Sequence, residues 1–136
     1  MTDDPRIRVR RFLDEVFNKR NLDAVDDWIA PGYISHNGVF PGASGPEGVR
    51  NAARQQHEAF PDLHTEVEDV AVDGDNVVVR ARDRFTHNGE FLGFPPTGKT
   101  IEVTWIDWFK LRDGKAVEAW LEIDMKRLEA QLRGDI

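Results

Sequence analysis

Thr100-Ile101-Glu102-Val103-Thr104-Trp105-Ile106-Asp107-Trp108-Phe109-Lys110-Leu111 is the stretch on which the fold turns. Its side chains alternate with a period of two, so one face of an extended strand carries Ile101, Val103, Trp105, Asp107, Phe109 and Leu111. The other face carries Glu102, Thr104, Ile106, Trp108 and Lys110. Working toward the C-terminus, Asp113-Gly114 is a hairpin turn signal, and Lys115 to Ile123 reads as the next strand. Working back, Asn88-Gly89 and Asp73-Gly74 separate two further runs, Asn76 to about Thr86 and Leu63 to Val72. The earlier run changes phase across Glu68 and Asp69, which predicts a bulge that bends the sheet. About four strands in chain order, joined by turns, predict consecutive hairpins.

The flanks of this block read as helices. Asp4-Pro5 is a helix start, followed by Val9, Phe12, Leu13, Val16 and Phe17 at helical spacing, and this helix ends near Asn18. Asn21 opens a shorter helix with Leu22, Val25, Trp28 and Ile29 inward, stopped by Pro31-Gly32. Tyr33 to Ser44 is too rich in turn formers for regular structure, and this loop carries Tyr33, His36, Asn37 and Phe40. Ser44 and Glu47 are spaced as a capping box for a third helix, with Val49, Ala52, Ala53, Gln56 and Phe60 on one stripe. Asp124 caps a last helix, Met125 to about Arg133. Helices preceding a run of antiparallel strands predict a single α+β domain over residues 1–136, with the N-terminal helices packed in the concave face of a curved, mainly antiparallel sheet. Such a cone encloses an apolar pocket at its mouth.

Composition excludes several functions. There are 25 acidic and 18 basic residues, a formal charge of −7, and the arginines are scattered, which argues against a nucleic-acid partner. With no cysteine, neither disulfides nor thiolate chemistry is available, and a cytoplasmic location is expected. Met1 to Arg10 mix acids and arginines without an apolar run, so neither a signal peptide nor a membrane association is expected. His36, His57, His64 and His87 lack metal-ligand spacing, and no metal is expected. Glycine-rich phosphate loops and the nucleophile elbow are absent from the sequence, so no cofactor is expected and acid/base chemistry is what remains.

Asp107 is the outlier of its row. A carboxylate among apolar neighbours is costly unless paired or protonated, and desolvation raises its pKa toward the range a general acid or base uses. The alternative is a core ion pair with an arginine, one from the first helix for instance. Asp83 stands similarly in the row Val77, Val79, Ala81, Asp83 and Phe85, with solvation near a strand end as its alternative. Arg80, Arg82 and Arg84 on the opposite face are expected to meet acids such as Glu102 and Glu118 across the strands. His36 is the polar pocket candidate of the loop. Tyr33, Asn37, Phe60, Trp105, Phe109 and Leu121, with Asp83, are the expected ligand contacts.

Gly93-Phe94-Pro95-Pro96-Thr97-Gly98-Lys99, then Asp113-Gly114-Lys115-Ala116-Val117-Glu118-Ala119-Trp120, then Asp124 and Gln131-Leu132 resemble the SnoaL-like polyketide cyclase family. The resemblance covers nearly the whole chain. It implies the cone-shaped α+β barrel shared with nuclear transport factor 2 and ketosteroid isomerase, and a homodimer through the outer sheet face, where Ile106, Trp108 and Trp120 would lie. It also implies cofactor-independent closure of a polyketide ring by intramolecular aldol chemistry, with an aspartate on the last strand as acid/base. Leu121 stands at that aspartate's position, and Asp107 falls where the cyclases carry a histidine. The related limonene epoxide hydrolases place an arginine two residues before an aspartate, a spacing that neither Asp83 nor Asp107 has. The combined expectation is a hydrophobic, carbonyl-containing ligand, with Asp107 as general base or acid and His36 orienting or protonating the substrate oxygen. A non-catalytic binding domain for a similar ligand is the second expectation, and a dimerising module with a filled core the third.

Overall fold

Asp4 caps the first helix by accepting the Arg6 backbone N–H at 2.9 Å, and Pro5 occupies the first turn, where no N–H is needed. The computed structural model describes residues 4–37, 39–40 and 42–136. Helix α1 (Pro5–Leu13) buries Val9, Phe12 and Leu13, then widens into a π-helical turn, Asp14–Asn18. A 3-10 turn, Leu22–Ala24, leads into the short α2 (Val25–Trp28).

The second helix ends earlier than Pro31-Gly32 predicts, because Ile29 already has extended backbone and opens strand β1 (Ile29–His36). The expected loop is therefore a strand over Tyr33 to His36. It runs parallel to the last strand of the sheet, pairing Ile29 with Ala116 and Ile34, Ser35 and His36 with Glu118, Ala119 and Trp120. Pairing is interrupted between Ile29 and Ile34, where Pro31 and Gly32 sit. An edge strand tolerates this, since a proline there leaves no ladder hydrogen bond unmade.

Helix α3 (Gly45–Ala59) follows, but without the expected capping box. The Ser44 hydroxyl makes no cap bond and instead accepts the Ser35 N–H at 3.0 Å, while Glu47 pairs with Arg50 and Arg54. Strands β2 (His64–Asp73), β3 (Asn76–Thr86), β4 (Thr100–Arg112) and β5 (Lys115–Ile123) then form consecutive antiparallel hairpins. Asp113 and Gly114 both have positive φ, 51° and 78°, the geometry a two-residue hairpin turn requires. Register shifts between Val67 and Asp69, at the expected bulge. The five-stranded order is β1-β5-β4-β3-β2. Helix α4 (Met125–Arg133) starts where the Asp124 carboxylate accepts the Arg127 N–H at 3.0 Å.

Helices α1 and α3 lie in the concavity of the sheet. Trp28 meets Phe109 edge-on at 5.4 Å, and the fully buried Ala53 lets α3 approach closely. Full burial of side chains of this kind is worth about 1.5–3 kcal/mol each. The connection between β3 and β4, residues 87–99, folds over one end of the cavity. His87 donates its backbone N–H to Lys99 and accepts from Gly98, both at 2.9 Å, and its Nδ1 sits 3.1 Å from the Thr97 hydroxyl. Gly89 packs against the end of α3 so closely that a Cβ there would lie 3.1 Å from the Ala59 carbonyl oxygen. These contacts hold Phe91 against Phe60 (4.8 Å) and Phe40 (5.9 Å).

Candidate functional site

Between the helices and the concave sheet lies a cavity of about 130 Å³. Phe12 and Phe17 from α1 and the turn that follows it, Phe60 after α3, and Trp105 and Phe109 of β4 supply its apolar walls. Tyr33, Ser35 and Asn37 enter from β1 and the residue after it, alternate positions along one extended segment. Asp83 and Asp107 enter from β3 and β4. The space is comparable to a cavity that holds one aromatic ring, so a larger ligand would also occupy the mouth.

Asp107 stands as the alternation predicts, on the row whose neighbours Trp105 and Phe109 are buried. Among the described residues no arginine pairs with it. Arg8, the α1 arginine that turns inward, is engaged by the carbonyl oxygens of Gly114 and Asp27, and its guanidinium lies 5.3 Å from the Trp28 ring centre. The Oδ1 atom of Asp107 is buried without a hydrogen-bond partner among the described residues. The residue as a whole keeps some accessible surface because it lines the cavity. Burial pushes its carboxyl up from 3.8 to about 7, opposed only by the Trp108 backbone N–H. Tyr33 is close enough to feel this group. Its own burial first, and the Asp107 charge second, raise its hydroxyl well above the ordinary tyrosine range, so it stays protonated.

Asp83 is the second acid, and it has partners. Burial raises its pKa, while the Trp105 indole N–H and the Thr65 hydroxyl act in the opposite direction. Thr65 donates to Oδ1 at 2.7 Å. Thr65 is itself clamped by Asn18, which donates to its carbonyl at 2.9 Å and accepts its N–H at 2.7 Å. The π-helical turn sets Asn18 in this position. Asn37 spends its Oδ1 on the backbone N–H groups of Val39 and Phe40, at 2.9 and 3.0 Å.

His36 is not in the cavity. It points to the outer face, stacks on Trp120 at 5.3 Å and places Nε2 2.7 Å from Glu118. Period two on β1 sends Tyr33 and Ser35 inward and His36 outward, a parity hidden while the segment reads as a loop. The arginine row meets its acids in part: Arg80 and Arg82 pair with Glu68 at 2.7 Å and Arg82 with Glu102 at 3.4 Å, whereas Glu118 is taken by His36. Thr65, Ser35 and Asn18 were not anticipated. Thr65 shares the inward parity of Leu63, and Ser35 that of Tyr33, and those alternations are the available signal. Asn18 has none, since a π turn has no simple sequence mark. Tyr33, Asn37, Phe60, Trp105, Phe109, Leu121 and Asp83 all line the cavity, as Asp107 does.

A curved sheet wrapped on helices around one apolar cavity with a few convergent polar groups defines the class of cone-shaped α+β small-molecule-binding folds. The sequence profile of the SnoaL-like polyketide cyclase family matches residues 7–132, and the chain belongs to that family. IdmH from Streptomyces antibioticus, a proposed polyketide cyclase, is 32% identical, with 96% of this chain and 99% of that one aligned at a TM-score of 0.80. A proposed polyketide cyclase from Acidithiobacillus ferrooxidans is 26% identical over 98% and 97% of the two chains, with a TM-score of 0.86. AclR from Streptomyces galilaeus, described as a proposed hydroxylase, is 26% identical over 95% and 84%, with a TM-score of 0.79. No curated protein sequence matches significantly. Among the described residues no helix is long and apolar enough to cross a membrane.

Proposed function

We propose that the cavity binds a hydrophobic, carbonyl-containing molecule, polyketide- or steroid-like, and that Asp107 is the general base and acid that moves a proton on it without a cofactor. The observation that carries this reading is the buried Oδ1 of Asp107, left without a partner in an apolar row. A group with a pKa of about 7 is present in both forms at neutral pH, which suits a base that must later return its proton. Its direct cross-strand neighbour is Leu121, the position where the resemblance places the cyclase aspartate. The carboxyl thus stands one strand away, about 5 Å across the ladder, in the same pocket.

In this reading Asp107 takes the proton from the carbon next to the substrate carbonyl, and the electron pair moves onto the carbonyl oxygen as an enolate. Tyr33, held protonated, and the Nδ2 group of Asn37 donate hydrogen bonds to that oxygen. Where the enolate is conjugated with a neighbouring double bond, it then takes the proton from Asp107 at the far carbon of that system, giving a double-bond isomer. Alternatively its own carbon attacks a second carbonyl, whose oxygen takes the proton from Asp107 in an aldol closure. His36 has no part in it. The outer face carries exposed Ile34, Ile106, Trp108 and Trp120, and a second copy of the chain, in the cytoplasm, is the partner we assign to it.

Deuterium exchange at the acidic methylene of 2-tetralone, followed by proton NMR, tests the proposal. Wild-type protein is expected to accelerate exchange over buffer with a rise near pH 7, and Asp107→Asn to abolish the acceleration. Binding of the ketone without acceleration would instead establish the non-catalytic reading.

A further inference from the structure

The cavity holds a second carboxyl that the proton-transfer reading leaves unused. Asp83 pairs with Val103 across β3 and β4, and Val79 with Asp107, so the two acids are offset by four positions along the sheet. At about 3.3 Å per residue this offset is roughly 13 Å. Trp105 lies between them on the same inward row, and all three line one cavity.

The surroundings of Asp83 are built. Asn18 clamps the backbone of Thr65 through two hydrogen bonds, and the buried Thr65 side chain donates to the Asp83 carboxyl at 2.7 Å. The Trp105 indole N–H also favours the charged form of this carboxyl. Both protein partners are donors, so the role this carboxyl is held for is that of an acceptor. An ether or carbonyl oxygen brought to it would set acceptor against acceptor, whereas a hydroxyl would add a further donor.

We propose that Asp83 is a second anchor of the cavity, accepting a hydrogen bond from a hydroxyl at the end of the ligand remote from Asp107. The ligand class is then an elongated apolar skeleton with a reacting oxygen function at one end and a hydroxyl at the other. A two-ring skeleton bridges the offset once a hydrogen bond of about 2.7 Å is allowed at each end. Asp83 here is a specificity residue and takes no proton in the reaction. The inference rests on the reading of this cavity as a ligand site.

The probes are 2-naphthol, 2,6-dihydroxynaphthalene and 6-methoxy-2-naphthol, with affinities measured by titration against wild type, Asp83→Leu and Asp107→Asn. In wild type the second hydroxyl is expected to tighten binding about tenfold, and the methoxy group to give no gain. In Asp83→Leu the gain disappears, and in Asp107→Asn it persists. Should Asp83→Leu fail to fold, the ¹³C resonance of the Asp83 carboxyl in wild type answers the same question, moving with the diol and not with the methoxy compound. A gain that survives Asp83→Leu, a methoxy group as good as the hydroxyl, or an unmoved carboxyl resonance overturns the proposal. Failure of all three naphthols to bind while 2-tetralone exchange proceeds overturns it and leaves the reading of Asp107 standing; failure of both overturns the site itself.

Discussion

Asp83 and Asp107 are the same side chain on adjacent strands, both facing inward and both raised in pKa by burial. What separates them is company. Asp83 receives a side-chain donor from Thr65 at 2.7 Å, and the Trp105 indole also favours its charged form, whereas only one backbone N–H favours that of Asp107, whose Oδ1 has no partner among the described residues. Alternation along a strand puts an acid in an interior, but partners from other elements decide whether it is held still or left available. The partnered acid belongs to the scaffold and to specificity. The unpartnered one costs stability and is therefore the candidate for chemistry.

Replacing each acid sharpens this contrast. The largest effect is expected on proton transfer: Asp107→Asn should slow 2-tetralone exchange by about 10²–10⁴-fold, whereas Asp83→Asn should leave the rate within a few-fold, as read by NMR. Stability should move the other way. The Asp107 carboxyl has a folded pKa of about 7 against an ordinary 3.8, so the folded state binds more protons between these values. Its contribution is therefore fully favourable below pH 3.8 and lost as pH rises through 7, a change of up to about 4 kcal/mol. Urea unfolding of Asp107→Asn should show a flatter fall in stability over this window and a gain over wild type at pH 8. A slope unchanged by the substitution would mean that the carboxyl is solvated in the cavity.

Removing the company of Asp83 should bring it closer to its neighbour. Thr65→Val deletes a donor that favours the charged form, so the Asp83 pKa should rise further in a carboxyl NMR titration, with a loss of about 1–2 kcal/mol in unfolding free energy. The smallest effect belongs to the outer face. His36→Ala removes a half-exposed pair with Glu118 and should change stability by about 0.5 kcal/mol or less and leave tetralone exchange untouched. A loss of exchange there would restore His36 to the mechanism.

The two acids were legible in the sequence because β3 and β4 are long, regular and bounded by clear turns, so parity fixed which residues face inward. Their difference is not, because Thr65 faces Asp83 only through the β2–β3 register beyond the bulge, and Asn18 comes from a helical turn far from both in sequence. The first strand is hidden in the sequence for a different reason. Pro31 and Gly32 argue against a strand taken alone, and only the edge of β5, more than 80 residues downstream, makes the segment extended. With the strand went the parity of Ser35 and His36, so a single unread element misplaced one site residue and hid another. The alternation of β2 across its bulge, by contrast, was read from Glu68 and Asp69 alone.

The hydroxyl of Ser44 on the Ser35 amide has a consequence for behaviour at high concentration. An outermost strand normally offers its free backbone groups to any passing strand, the first step of sheet-to-sheet polymerisation. Here one edge is plugged, with Ser35 N–H already taken by Ser44 and Pro31 having none to offer. The opposite edge, β2, is bent by its bulge beside Glu68 and Asp69, so neither rim presents a flat template. Edge-to-edge growth of the sheet into fibres is therefore disfavoured at both ends.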